Sequence, residues 1–316
     1  MRILLTGANG QVGSALRHCL PALGELICAT RDGRLTDGTG CETADLSRPD
    51  QLANLIERTA PQVVVNAAAY TAVDRAETER DQAFLINAEA VDALARVCAE
   101  RDALLVHYST DYVFPGNDPR PRRENDPTGP LNVYGASKLA GEDAVRASGC
   151  RHLLFRISWV YSAQGHNFLR TMLRLAAEHD ELRVVADQIG APTPAHWIAE
   201  ATAKTIGVAS PRGGVTADGV QYSGAWHLAA AGETSWHGFA EAIFANALRT
   251  GLIDRIPRLE PIPSSAYPSP AARPTSSRLD TGKIQRDFGI VLPDWRQGLT
   301  ETLPVGRPYV ADAGDA

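Results

Sequence analysis

Tyr134 and Lys138 stand four positions apart in the run NVYGASKLAG, Asn132 to Gly141. On a helix that spacing puts both side chains on one face, about one turn apart. A phenol is neutral near pH 7 and can donate a proton, and a nearby cation lowers its ordinary pKa of about 10. The pair could be a catalytic acid with its tuning charge. Taken alone, the stretch reads more readily as an ordinary polar helix face.

A second group of reactive side chains lies upstream. In VHYSTDYVFPG an apolar run ends in Ser109, Thr110 and Asp111. In an open parallel sheet, ligands bind outside the carboxyl ends of the strands, so these residues point to where a ligand would lie. Tyr134 follows Thr110 by 24 residues, across a loop that includes DPTGPL, and the two can converge on one small group.

A third group opens the chain. LLTGANGQVGSAL sets Gly7, Gly10 and Gly13 three apart, directly after an apolar run and at the start of a helical pattern. One glycine supplies a positive φ, another lets backbone approach a pyrophosphate without a Cβ, and the helix N-terminus presents N–H groups to an anion. That placement predicts a dinucleotide site. Cofactor choice falls at the end of the next apolar run, ICATRDG, where Arg31 can pair with a 2′-phosphate and Asp32 can accept from a ribose hydroxyl. The arginine comes first, which favours NADPH and leaves NADH possible. A solvated loop charge is the competing reading of Arg31.

These residues need a scaffold. RILLTG, ELICAT, QVVVNAAA, ALLVHYS and RHLLFRIS are continuous apolar runs of strand length, and QVGSALRHCLPAL, PDQLANLIERTA, AFLINAEAVDALARVCAERD and YGASKLAGEDAVRAS between them carry helical periodicity. The alternation predicts a Rossmann-type, doubly wound α/β fold with a parallel sheet. After about Trp159 the rhythm changes. NFLRTMLRLAAEHD reads as an amphipathic helix, and QIGAPTPAHWIAEATAKTIG as a proline-bearing turn followed by another. PRGGVTADGVQYSG reads as a surface loop or hairpin, residues 310–316 as a frayed end. The stretch from Ile256 to Asp280 carries six prolines, so it is neither regular helix nor central strand. The expected division is a dinucleotide domain, residues 1–163 and about 225–255, and a smaller, discontinuous α+β substrate domain, about 164–224 and 256–316.

Bulk properties exclude other classes. The 316 residues are 44% hydrophobic and 22% charged with a net charge of −6, and Lys and Arg are scattered, so neither nucleic acid nor a membrane surface is an expected partner. Five cysteines, an odd number without CxxC spacing, fit reduced thiols. The apolar run before Thr6 is too short for a signal-peptide core, and no stretch approaches a membrane span, so a cytoplasmic location is expected.

With these motifs assembled, the chain resembles the extended short-chain dehydrogenase/reductase superfamily, and within it the dTDP-4-dehydrorhamnose reductases. GQVG, VNAAAYTAVDRAE, YSTDYVFPG, NVYGASKLAGE, FRISWVYS, DQIGAPT and SAYPSPAARPTSSRLDT carry the likeness in order, from Met1 to about Leu303. The resemblance implies hydride transfer from a nicotinamide to the 4-keto carbon of a dTDP-linked sugar. It makes Tyr134 the proton donor, Lys138 the charge that tunes it and holds the nicotinamide ribose, and Thr110 a hydrogen-bond partner of the substrate oxygen. It assigns Gly10, Gln11 and Val12 to the pyrophosphate, Asp45 and Leu46 to the adenine end, and Ala69, Tyr70 and Thr71 to the cofactor loop after the fourth apolar run. Asp111 and Trp159 would touch the sugar nucleotide, with Asp74, Asn87, Gln188, Tyr267 and Arg273 as further candidates.

Several of these have plainer readings. Asp45 could cap the following helix, Trp159 could be packing, Asp74 a cap, Asn87 a buried backbone partner and Arg273 an ordinary ion pair. Some relatives form magnesium-bridged dimers through carboxylates that include one on the first helix. Here that helix reads Gly13-Ser14-Ala15-Leu16, and Arg296 stands beside Trp295 near the end, so no metal and a monomer are expected. The rival readings are a non-catalytic regulatory subunit of the methionine adenosyltransferase type and a nucleotide-sugar epimerase.

Overall fold

The computed structural model of the chain describes residues 1–209 and 222–303. It opens with β1 (Arg2–Thr6), α1 (Gln11–Cys19), β2 (Glu25–Thr30) and a short β3 (Glu42–Thr43), followed by α2 (Pro49–Thr59) and β4 (Val63–Asn66). Two short helices, α3 (Val73–Ala76) and α4 (Arg80–Phe84), lead through a π turn into α5 (Ala90–Glu100). Then come β5 (Leu104–Thr110), α6 (Val133–Ala147), β6 (His152–Ile157), β7 (Val160–Tyr161), α7 (Phe168–Glu178) and β8 (Glu181–Val185). The remainder runs β9 (Ile189–Gly190), β10 (Thr193–Pro194), α8 (Ala195–Ala209), β11 (Gly224–Leu228), β12 (Thr234–Ser235), α9 (Trp236–Arg249), β13 (Arg258–Ile262), α10 (Gly282–Phe288) and α11 (Trp295–Thr302).

All five apolar runs become strands of one parallel, seven-stranded sheet in the order β11-β6-β5-β4-β1-β2-β3. Their lack of alternation has a direct cause. Ile3, Leu5, Val63, Val65, Leu104 and Val106 face one core, beside α1 and α8, whereas Leu4, Val64 and Leu105 face another, beneath α2 and α5. Successive side chains point to opposite faces and both faces are covered, so every position is apolar. The chain order reverses between β1 and β4, which opens the crevice used below.

A third core builds the smaller region from Tyr161, Leu169, Leu173, Phe239, Phe244 and Trp295. Here the packing corrects the expected division. α8, expected with the substrate region, sends Ile198, Ala199 and Ile206 into the sheet's core, and α10 does the same with Ile284 and Phe288. α9, expected with the sheet, packs its Phe239, Ile243 and Phe244 into the smaller core. β11 joins the sheet edge as expected. The proline-rich stretch forms β13 beside β8 in a two-stranded sheet, where Pro261 costs little, and then an irregular run.

The single helix expected across Ala83–Asp102 is instead α4, a π turn at Leu85–Glu89 and α5. Asn87 sits in that turn with its side chain committed to the chain's own backbone. It accepts from Tyr70 N–H at 2.9 Å and donates to Tyr70 carbonyl at 3.0 Å and to Ser137 Oγ at 3.0 Å. No helix among the described residues is long and apolar enough to cross a membrane, and all five cysteines are free. Most of the glycine-rich run expected as a surface loop, and the end expected to fray, lie outside the described residues.

Candidate active site

The glycine loop joins β1 to α1 at the sheet's carboxyl edge. Gly7 has φ +70°, and a Cβ on it would meet Ala68 N at 2.6 Å; one on Gly13 would fall 2.0 Å from Gly7 carbonyl oxygen. The first permits close approach to the loop after β4, the second lets α1 begin directly against the turn. Gly10 N–H donates to Gly7 carbonyl at 2.9 Å, and Gly10 is the N-cap of α1. The first turn of α1 contains no acidic residue, so its oriented N–H groups are suited to an anion.

A cleft of about 830 Å³ runs from this loop along the sheet edge. Gly7, Gly10, Gln11, Val12 and Arg31 line it at one end, with Asp45 and Leu46 nearby; Ala69 and Thr71 line it after β4. Asp32 folds back on its own turn, its Oδ1 accepting from Thr30 Oγ1 at 3.0 Å and Arg34 N–H at 3.3 Å. The guanidinium of Arg31 forms no ion pair among the described residues. Of the two candidate cofactor readers, the acid has one oxygen engaged within its own turn, and the base, whose charge also acts on Asp32, makes no ion pair among the described residues. Asp45 makes a turn with Ser47, accepting from its N–H at 3.0 Å and its hydroxyl at 2.8 Å, while the cap position of α2 belongs to Arg48.

Thr110, Asp111, Tyr134, Lys138 and Trp159 all line the same cleft. The helix bearing Tyr134 is fixed at its first turn. Asn132 caps α6 by accepting from Gly135 N–H at 2.8 Å, Glu77 accepts from Val133 N–H at 2.8 Å, and the Asn132 amide donates to Ala272 carbonyl at 2.7 Å. Gly135 lets that turn sit against Tyr112 carbonyl, which a Cβ would meet at 2.3 Å. Sequence reading missed Asn132 and Glu77, although an asparagine before a helical pattern is a cap signal.

Burial dominates the electrostatics. It raises the Tyr134 phenol to about 12, with Thr110's hydroxyl lowering it and Asp111's charge raising it further. Burial lifts Asp111 to about 6 against the hydrogen bonds that hold it down, Thr110 Oγ1 donating to its Oδ1 at 3.0 Å. Lys138 is 2% exposed, and burial lowers its ammonium to about 8. Its Nζ donates to Tyr108 carbonyl at 2.7 Å and lies 3.4 Å from His107 Nε2. These two contacts hold the amine from the strand side, while Lys138 also lines the cleft with Tyr134.

Seven expected residues stand elsewhere, Asn87 among them in the π turn described above. Gly13 is buried within α1 and shapes the loop from behind. Tyr70 points its hydroxyl at Glu79 Oε2, 2.7 Å away. Asp74 and Arg273 pair with each other at 2.7 Å, the plainer of the two readings given for the arginine. Tyr267 is 56% exposed outside the cleft. Gln188 is buried and accepts from Trp236 Nε1–H at 3.1 Å. Trp236, which sequence reading missed, does line the cleft, stacked on Trp159 at 3.6 Å and 8°. It lies 77 residues after Trp159 in the chain, and no local pattern announces the contact. His166 and Tyr112 line the cleft too and were also missed, Tyr112 although it stands beside Asp111 in the VHYSTDYVFPG run.

Comparison with known proteins follows the same line. A family model described as the RmlD substrate binding domain matches residues 1–306. The dTDP-4-dehydrorhamnose reductase of Shigella flexneri is 48% identical over 96% of this chain and 97% of that protein. The chain belongs to the dTDP-4-dehydrorhamnose reductase family. The reductase of Burkholderia thailandensis is 50% identical, over 95% of this chain and 97% of that protein. Among solved members, the crystal structure of the Bacillus anthracis reductase in complex with NADP superposes with a TM-score of 0.83 at 32% identity, covering 95% of this chain and 98% of that one. The likeness spans the sheet and the smaller region together.

Proposed function

We propose that the protein reduces the 4-keto group of dTDP-4-dehydro-β-L-rhamnose to dTDP-β-L-rhamnose with NADPH, the final step of dTDP-L-rhamnose synthesis. One observation carries this reading: the glycine cradle, Arg31 and the Thr110/Tyr134/Lys138 group share a single cleft. The cradle fits a dinucleotide because the tight turn that Gly7 and Gly13 permit starts α1, with no acidic residue in its first turn, at the cleft, where its N–H groups suit a pyrophosphate. Bound NADPH supplies the hydride. Arg31 pairs with the 2′-phosphate, and Gly10, Gln11 and Val12 hold the pyrophosphate at the start of α1.

Tyr134 donates the proton that the new alkoxide at position 4 requires. A phenol raised to about 12 stays fully protonated at neutral pH, so the donor is always loaded. Thr110 orients the substrate oxygen beside it, and Lys138 holds the nicotinamide ribose. Asp111 and Trp159 border the sugar, and Gln188 acts through Trp236. Asp74 and Arg273 secure the wall of the cleft, and Tyr267 lies outside it. We place the protein in the cytoplasm as a monomer without a bound metal.

The deciding assay supplies enzymatically made dTDP-4-dehydro-L-rhamnose with NADPH or NADH, follows absorbance loss and identifies the sugar product. One NADPH consumed per dTDP-L-rhamnose formed is the expected result. Sugar conversion without net consumption would mark an epimerase, and no conversion a binding protein.

A further inference from the structure

Behind Lys138 lies a polar chain that the proposed chemistry does not use. Thr6, Asn66 and His107, on the adjacent strands β1, β4 and β5, are each at most 1% exposed. Thr6 hydroxyl donates to Asn66 Oδ1 at 2.7 Å, and Ala68 N–H donates to the same oxygen at 3.3 Å. The Ala68 N–H can only donate, so it fixes which end of the amide is oxygen, and the Thr6 hydroxyl orients to match. The other end, Nδ2, therefore donates to His107 Nδ1 at 3.2 Å. A ring nitrogen that accepts carries no proton, so a neutral His107 bears its single N–H on Nε2. That N–H faces Lys138 Nζ, 3.4 Å away.

We propose that His107 is a positioning residue for Lys138, locked by Asn66 in the Nε2–H form so that it offers the lysine a donor instead of an acceptor. The contact cannot stabilise an ammonium. It leaves Tyr108 carbonyl as the anchor on the strand side and turns the remaining protons of Lys138 toward the cleft, where the ribose and Tyr134 lie. Lys138 thus holds one proton loosely in a dry site.

The surrounding charges agree with this. Burial, Lys138 and His152 at the start of β6 all keep the His107 ring uncharged. Among the described residues, the carboxylate that raises Lys138 is Glu142 on its own helix. Its oxygens are already engaged by Arg156 of β6 at 2.7 and 2.9 Å and by Arg146. Asp111 acts on the phenol.

The inference rests on the reductase reading of the cleft, but its first test needs no sugar. Long-range ¹H–¹⁵N spectra of the full chain, labelled at histidine and saturated with NADP⁺, should show His107 protonated at Nε2 alone; the signal is assigned by its loss in His107→Asn. An Nδ1–H ring would overturn the proposal whatever the enzyme reduces. The second test is Asn66→Asp, which keeps the shape and the Thr6 and Ala68 contacts but accepts from Nδ1–H, so the ring should switch and offer Nε2 to the ammonium. The alkaline fall in turnover should then move up by about one pH unit or more. A ring that switches without moving the fall, or a fall that moves with the ring unswitched, would overturn the link between tautomer and lysine.

Discussion

Burial acts on Tyr134 and Lys138 in opposite directions. It raises the phenol to about 12 and lowers the ammonium to about 8. Tyr134→Phe should keep NADPH affinity within about threefold and cut turnover by roughly 10²–10⁴; fluorescence titration and steady-state rates check the two halves. Because the ammonium is lost above about pH 8, turnover should fall on the alkaline side near that pH and not near 12. A rate profile flat to about pH 10 would remove Lys138's charge from the reaction. Arg31 is a residue-scale question as well. Arg31→Ala should lower the NADPH/NADH efficiency ratio by roughly tenfold or more, the size expected for a lost charge-assisted phosphate contact.

At the scale of elements, the site depends on how closely backbones approach. α1 can start against β1's turn only because position 13 has no side chain, its Cβ position being 2.0 Å from Gly7 oxygen, whereas that of Gly10 is 3.3 Å from the same atom. Gly13→Ala should therefore destabilise the fold by about 3 kcal/mol or more, and Gly10→Ala by well under half of that. Denaturant midpoints measure both, and equal losses would contradict the geometry. α6 shows the complementary device. Asn132 caps the helix and also holds Ala272, so the element that aims Tyr134 is joined to the proline-rich run. That run is closed elsewhere by Ser276 and Thr275, which donate to Gly116 carbonyl at 2.9 Å each.

Over the whole molecule, the cleft lies between a sheet with two covered faces and a smaller region with its own aromatic core. The proline-rich run crosses between them, secured by Arg273 on Asp74 and by Ala271 N–H, which donates to the same carboxylate at 3.2 Å. Both partners of the ion pair are partly solvated, 23% and 40%, so the link contributes modestly. Arg273→Ala should raise KM for the sugar nucleotide about fivefold while leaving NADPH affinity unchanged, as measured by initial rates and cofactor titration. A change confined to the cofactor would place the arginine on the other side of the cleft.

The amino-acid sequence by itself determined the parallel sheet, the glycine turn and the placing of Tyr134 and Lys138 on one helix face. Each is written in contiguous residues: apolar runs that need two covered faces, glycines at a strand-to-helix turn, two residues one helical turn apart. Tertiary structure decided what distant segments do to one another. It stacked Trp236 on Trp159, paired Arg273 with Asp74, and sent α8 and α9 to cores opposite to those expected. It also turned Lys138 toward Tyr108 and His107. An amphipathic helix declares which of its faces is buried but not which core will bury it. The protonation of a side chain follows from the solvent it loses and the neighbours it gains, and those neighbours come from strands far apart in the chain.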